Sequence, residues 1–165
     1  MAVVNRWINA EVQADKKGDS AAVSGNEVKC LQATFETVAG DSNLSILKIG
    51  RLPANAIPVK CEIVNDTLTN ATDWDLGLYE EDGVTEADKD IFMDGEDINA
   101  GNAITSPVNG LKTGPAIDDI GKTLWDLLGK TIKDKPSGYV LAFTCVVIGT
   151  TAATVSIQFW YTVGN

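Results

Sequence analysis

The sequence predicts an all-β fold: an antiparallel β-sandwich with one short helix and an N-terminal arm. Three observations predict it. From Cys30 onward apolar residues recur with a period of two, the spacing of half-buried strands. Turn-forming clusters such as AGDSN (39–43) and PANAIP (53–58) cut these runs into strand-length pieces. A single segment, 118–128, carries helical spacing together with helix end signals.

Residues 1–28 read as the arm, and 29–165 as the sandwich domain. The arm is polar and rich in small residues (DKKGDSAAVSGNE, 15–27). Its RWINAEVQ stretch is compatible with a short helix or a strand. Arg6, Trp7 and Ile8 give the arm side chains with which to dock. CLQATFETV (30–38) then alternates, and LSILKIGRL (44–52) follows. VKCEIV (59–64) places Val59, Cys61 and Ile63 on one face, with Lys60 and Glu62 on the other. NDTLTNAT (65–72) is a turn-rich connection. In DWDLGLY (73–79), Trp74, Leu76 and Leu78 oppose Asp73, Asp75, Gly77 and Tyr79. IFMDGEDI (91–98) and NAITSPV (102–108) read as short extended pieces.

The helix of DDIGKTLWDLL (118–128) takes Asp118 or Asp119 as its cap. Ile120, Leu124, Leu127 and Leu128 form its apolar stripe, and Gly129 sits where a terminating glycine belongs. GYVLAFTCVVIG (138–149) is apolar on both faces. TTAATVSIQFWYTVG (150–164) sets Val155, Ile157, Phe159, Tyr161 and Val163 against Ser156, Gln158, Trp160 and Thr162. The short GTTAA link between these runs predicts a C-terminal hairpin at the sheet centre.

Composition narrows the function. A chain of 165 residues, 44% hydrophobic and 22% charged, suits one globular domain with a full core. No uncharged apolar run is long enough to span a bilayer, and the N-terminus does not read as a secretory signal. A formal charge of −10 argues against nucleic acid and anionic membranes as partners. There is no histidine, which removes the usual neutral-pH base, the histidine-dependent triads and the common zinc sets. Cys30, Cys61 and Cys145 are expected to be reduced, buried strand residues, since they are far apart and none belongs to a CxxC. Gly114 and Gly121 lack phosphate-loop spacing, so no nucleotide is expected. No cofactor or catalytic residue is assigned.

The charge is concentrated. Asp73 to Asp97 holds eleven carboxylates and one base, Lys89, while the rest of the chain has twelve of each. The run reads as a solvated surface loop that guards a strand edge. As a calcium loop counted from Asp88 it fails, because Phe92, Met93 and Asn99 fall where ligand, glycine and glutamate belong. An irregular oxygen cluster of Asp90, Asp94, Glu96 and Asp97 is the lesser alternative. Trp74 and Trp125 read as packing residues. Trp160 lies among polar residues, so it needs cover from the arm, the second sheet or a neighbouring subunit.

The order of the pieces over the C-terminal four fifths of the chain resembles small accessory virion proteins of tailed bacteriophages, including head decoration (cement) proteins. The matching elements are an "LP-x-N-A" turn at Leu52, Pro53, Asn55 and Ala56, and a "D-x-GLY" strand at Asp75, Gly77, Leu78 and Tyr79. An "LW-x-x-LG" helix at Leu124, Trp125, Leu128 and Gly129 precedes the last two strands. The resemblance implies a jelly-roll-like sandwich without enzymatic activity that binds the major capsid protein on the outer head surface and stabilises the shell. It implies a homo-oligomer, a trimer, present in the host cytoplasm during assembly and then on the virion. Arg6, Trp7, Ile8 and Trp160 are the candidate interface residues. The alternative is a carbohydrate- or receptor-binding module of a tail fibre or spike, although the chain carries no coiled-coil heptads or shaft domain.

Overall fold

A computed structural model describes residues 5–7, 27–38, 42–71, 73–99, 103–106, 119, 121–131, 137–147 and 149–164. The strands are β1 (Asn5–Trp7), β2 (Lys29–Glu36), β3 (Ser45–Pro53), β4 (Ala56–Asn65), β5 (Asp73–Tyr79), β6 (Glu86–Glu96), β7 (Ala103–Ser106), β8 (Gly138–Val147) and β9 (Thr154–Val163). Among the described residues one short helix, α1 (Leu124–Leu127), precedes β8. Among the described residues no helix is long and apolar enough to cross a membrane.

Two sheets form, ordered β1-β3-β8-β5-β6 and β2-β9-β4-β7. All pairings among β2 to β9 are antiparallel, while β1 joins β3 in parallel. The chain changes sheet at nearly every connection; the β5–β6 hairpin is the exception after β2. This is the order of a jelly roll, two interleaved Greek keys, as the sequence predicts. The inner faces share one core. Phe143 of β8 meets Trp74 edge-on at 5.5 Å, and Phe35 of the opposing sheet at 6.1 Å. Phe92 and Phe159 close a second bridge between the sheets at 5.1 Å. Such aromatic pairs add about 0.5–1.5 kcal/mol beyond the area they bury.

Three sequence expectations need correction. β8 and β9 are not a hairpin, because they lie inside different sheets and the GTTAA link carries the chain across. Thr37 holds the far end of that link, donating its N–H to Ala153 O at 2.9 Å and accepting the Ala153 N–H at 3.0 Å. GTTAA lacks the Asn-Gly type of pair that turns a strand back on itself.

The helix spans four residues rather than eleven. Gly121 has φ +83, a left-handed conformation that no helix interior accommodates, so the helix begins after it; Asp118 and Ile120 lie outside the described residues. Thr123 takes the cap position, although its hydroxyl bonds Asp126 rather than a backbone N–H. The other end is as expected. Gly129, at φ +63, donates its N–H to Asp126 O, and Lys130 donates to Trp125 O, which makes a Schellman stop. Trp125 also donates its N–H to Ala54 O, docking the helix on the β3–β4 corner.

Val59 is 47% exposed rather than core. A bulge between Pro58 and Lys60 shifts the register there and turns it outward, while Cys61 and Ile63 stay inside.

Phe143→Ala should cost about 3–5 kcal/mol in urea unfolding. Val84→Ala, on an exposed side chain, should stay within about 0.5 kcal/mol.

Candidate functional site

The acidic run is not a loop. Residues 73–79 and 86–96 are strands β5 and β6, joined by the turn Glu80–Thr85. β6 is the edge of the five-stranded sheet. Its period is hidden in the sequence because only Phe92 and Met93 are buried and the strand contains surplus residues. Leu76 pairs with Met93 and Leu78 with Asp88, so Gly77 alone stands opposite four residues of β6.

That surplus backbone lies against Gly77. A Cβ there would sit 2.1 Å from the carbonyl carbon of Lys89 and 2.3 Å from the carbonyl oxygen of Asp88. Only glycine admits such an approach inside a strand. Asp75, 2% exposed, ties the two ends of the surplus together. It accepts the Lys89 ammonium at 2.9 Å and the Gly95 N–H at 2.8 Å. The buried charge is thus paired and hydrogen-bonded, as burial requires. The Asp75 carboxylate in turn raises the affinity of the Lys89 amine for its proton. At the tip, Asp82 accepts the Thr85 hydroxyl and the N–H groups of Val84 and Thr85. These bonds, the hydroxyl first, hold its carboxyl below the usual range.

Behind the hairpin the outer face of this sheet is dry. Ile46, Tyr79, Val140 and Ala142 form a second small apolar cluster, and the Tyr79 hydroxyl meets Thr144 Oγ1 at 2.5 Å. Lys48, 7% exposed, runs along this face toward the turn, its Cε 2.8 Å from where a Gly83 Cβ would be. On β6 itself, burial pushes the Asp88 carboxyl up to about 6, with the hydrogen-bonded Asp90 carboxyl beside it acting in the same direction. Among the described residues no three Cys, Asp or Glu side chains converge as a metal site requires.

The outer face of the other sheet carries Trp160. Cys30, Trp160 and Lys60 form one row across β2, β9 and β4. The Lys60 ammonium lies 4.9 Å from the Trp160 ring centroid and 3.4 Å from Glu62. Trp160 is half-buried by these neighbours, and the second sheet does not cover it, since it points away from the core. Cys30 corrects an expectation. It is exposed, because Leu31, Ala33 and Phe35 take the inner face of β2. Cys61 and Cys145 are buried thiols outside any disulfide, as expected, and burial pushes the Cys61 thiol up to about 12.

The sequence-stated interface residues are spread over both sheets. Arg6 and Trp7 lie in β1, at one edge of the five-stranded sheet, and Trp160 lies inside the four-stranded one. Ile8 lies outside the described residues. The Asp75, Gly77 and Lys89 assembly was not anticipated; a glycine inside a strong strand pattern was the available signal.

The architecture is similar to that of a chain in the solved capsid of Ralstonia phage GP4. The match has a TM-score of 0.61 and 14% identity, and covers 98% of this chain and 99% of that one. A chain of the cyanophage Pam1 capsid asymmetric unit matches with a TM-score of 0.54 and 12% identity, over 92% of this chain and 99% of that one. No family model matches, and no curated protein matches. At these identities the likeness establishes a shared fold.

Three substitutions probe the hairpin. Gly77→Ala should lower stability by about 1–3 kcal/mol, the usual cost of forcing atoms into filled space. Asp75→Ala removes charge-assisted hydrogen bonds and should cost about 1.5–3 kcal/mol in urea unfolding. Asp88→Asn should behave oppositely at neutral pH. The folded-state value near 6 lies above the ordinary 3.8, so the folded protein binds the Asp88 proton more tightly. Stability is therefore gained as pH falls from about 6 toward 3.8 and is absent above that window. Asp88→Asn should melt higher than the parent at pH 7, and the gap should close near pH 4.

Proposed function

We propose that this chain is a non-enzymatic structural protein of a tailed-phage virion, and that it decorates the outer surface of the head. The observation that carries the reading is the near end-to-end match of one jelly-roll chain to chains from two phage capsids. The ordered "LP-x-N-A", "D-x-GLY" and "LW-x-x-LG" elements support it from the sequence side.

The activity is adhesion to the major capsid protein. The chain bridges neighbouring capsomers and buries surface that is exposed in the undecorated shell. A standard interface removes about 1,600 Å² from water, and several such contacts per oligomer multiply through avidity. We assign the homo-oligomer as a trimer, with Arg6, Trp7, Ile8 and Trp160 as its contact residues. Trp160 supports this assignment, as a half-buried aromatic on an outer sheet face with a cation against its ring. Aromatic and Arg side chains are frequent anchors of interfaces. The acidic β6 edge suits a partner that presents Lys or Arg, and attraction of that kind weakens with salt.

Purified protein mixed with undecorated heads should pellet with them. Trp160→Ala should weaken that binding by roughly 30-fold, the effect of losing about 2 kcal/mol at an anchor. Deleting residues 1–28 tests the arm, and light scattering reads the oligomer mass. Protein that stays in the supernatant at every salt concentration overturns the reading. Banding with tails instead of heads moves the function to the receptor-binding alternative.

A further inference from the structure

The four sheet edges among the described residues are protected unequally. β1 has three residues and β7 has four. β6 is broken by surplus residues and lined with carboxylates, the usual devices against pairing with another chain. β2 has neither device. Its eight residues pair with β9 in unbroken register, from Lys29 opposite Tyr161 to Glu36 opposite Thr154, without proline or bulge.

The orientation of its free hydrogen-bonding groups follows from one contact. Thr37 donates its N–H to Ala153 O at 2.9 Å, in the same register as the strand. In an antiparallel pair such residues alternate, so Lys29, Leu31, Ala33 and Phe35 direct their backbone groups toward β9. The N–H and C=O groups of Cys30, Gln32, Thr34 and Glu36 point the other way. Among the described residues no strand pairs with that side of β2.

We propose that this edge pairs with the same edge of a second copy of the chain, antiparallel about a two-fold axis at Ala33. The two four-stranded sheets then become one sheet of eight.

The sequence of β2 is self-complementary in that register. Leu31 falls opposite Phe35, Gln32 opposite Thr34, and Cys30 opposite Glu36. Just beyond the strand, Val28 falls opposite Val38, and these valines are 53% and 51% exposed in the single chain. A shift of one residue would set the inner face of one copy against the outer face of the other.

The distribution of charge also fits. The whole surplus of acid lies between Asp73 and Asp97, on the β5–β6 side of the other sheet. Leu31 packs over Gly50 of β3, which places β2 at the opposite lateral end of the sandwich from β6. β2 itself carries Lys29 and Glu36 and is neutral. Two copies with a formal charge of −10 each therefore meet here while their acidic edges stay far apart. This contact is isologous and uses each β2 once. It is separate from the trimer contact proposed above, and it does not rest on the virion reading.

Two variants test the register and the edge. In Glu36→Cys, the new thiol faces Cys30 of the second copy at the roughly 5.5 Å Cα spacing of a hydrogen-bonded pair, within disulfide reach. Within one chain these positions are roughly 20 Å apart along the strand, too far to bridge. Oxidised glutathione supplies the oxidant. It takes up the two electrons and two protons of the thiol pair and leaves as two reduced glutathiones. The expected result is a covalent dimer on a non-reducing gel, reversed by reductant and absent when Cys30→Ala is added. Gln32→Pro removes an N–H that points away from β9, so the fold and its melting temperature should persist while self-association weakens at least tenfold. Light scattering of the parent should give an even number of copies, two through this contact alone and six where the proposed trimer contact also forms. A parent that stays monomeric at all concentrations overturns the proposal. So does an odd oligomer without the 30–36 cross-link, or association that Gln32→Pro leaves unchanged.

Discussion

Strand β8 is buried on both of its faces, and much of the molecule is arranged to make that possible. Tyr139, Leu141, Phe143 and Cys145 fill the shared core, where a sandwich strand is expected to be dry. Val140, Ala142 and Thr144 face the other way and are buried as well. An antiparallel sheet ordinarily leaves that second face to water. Here Ile46, Tyr79 and the stem of Lys48 lie along it, and the surplus backbone of β6 folds over the adjoining strand. Gly77 is the residue that lets β6 come so close, and Asp75 is the residue that holds it there.

The same arrangement explains how a segment with eleven carboxylates is also part of the fold. Most of its acids lie on an edge strand and a turn, where water screens them and where they keep other strands from pairing. Asp75 differs because β5 lies inside the sheet, so its charge needs Lys89 and the Gly95 amide. Charge is thus used twice, once as a clamp inside and once as a guard outside. The β2 edge, neutral and regular, has neither.

The three elements that carry the phage resemblance each occupy a structural junction. Ala54 and Asn55, in the "LP-x-N-A" corner, bond to the helix and to Gly164 at the end of β9. The "D-x-GLY" strand supplies Asp75 and Gly77 to the hairpin clamp, and Tyr79 to the outer cluster. The "LW-x-x-LG" element supplies Trp125, which docks on that corner, and the Schellman glycine. Such residues preserve an architecture.

By itself the sequence determined where most strands lie, which residues of β5 and β9 face the core, and how the helix ends. Those features depend on neighbours close along the chain: the alternation of side chains, the turn residues and the left-handed glycine. It also marked Trp160 as an aromatic on the wrong face. Only the tertiary structure decided which strands pair. A five-residue link serves a hairpin or a crossing between sheets equally well, so the β8–β9 crossing was hidden in GTTAA. The acidic β6 was hidden because an edge strand buries few of its residues, and its surplus residues erase the period of two. Cys30 and Val59 were misplaced for related reasons, an edge strand that leaves one face wet and a bulge that turns a residue outward. The Asp75–Lys89 clamp joins residues fourteen apart, and its meaning depends on β5 being interior, which no local pattern of a single strand records.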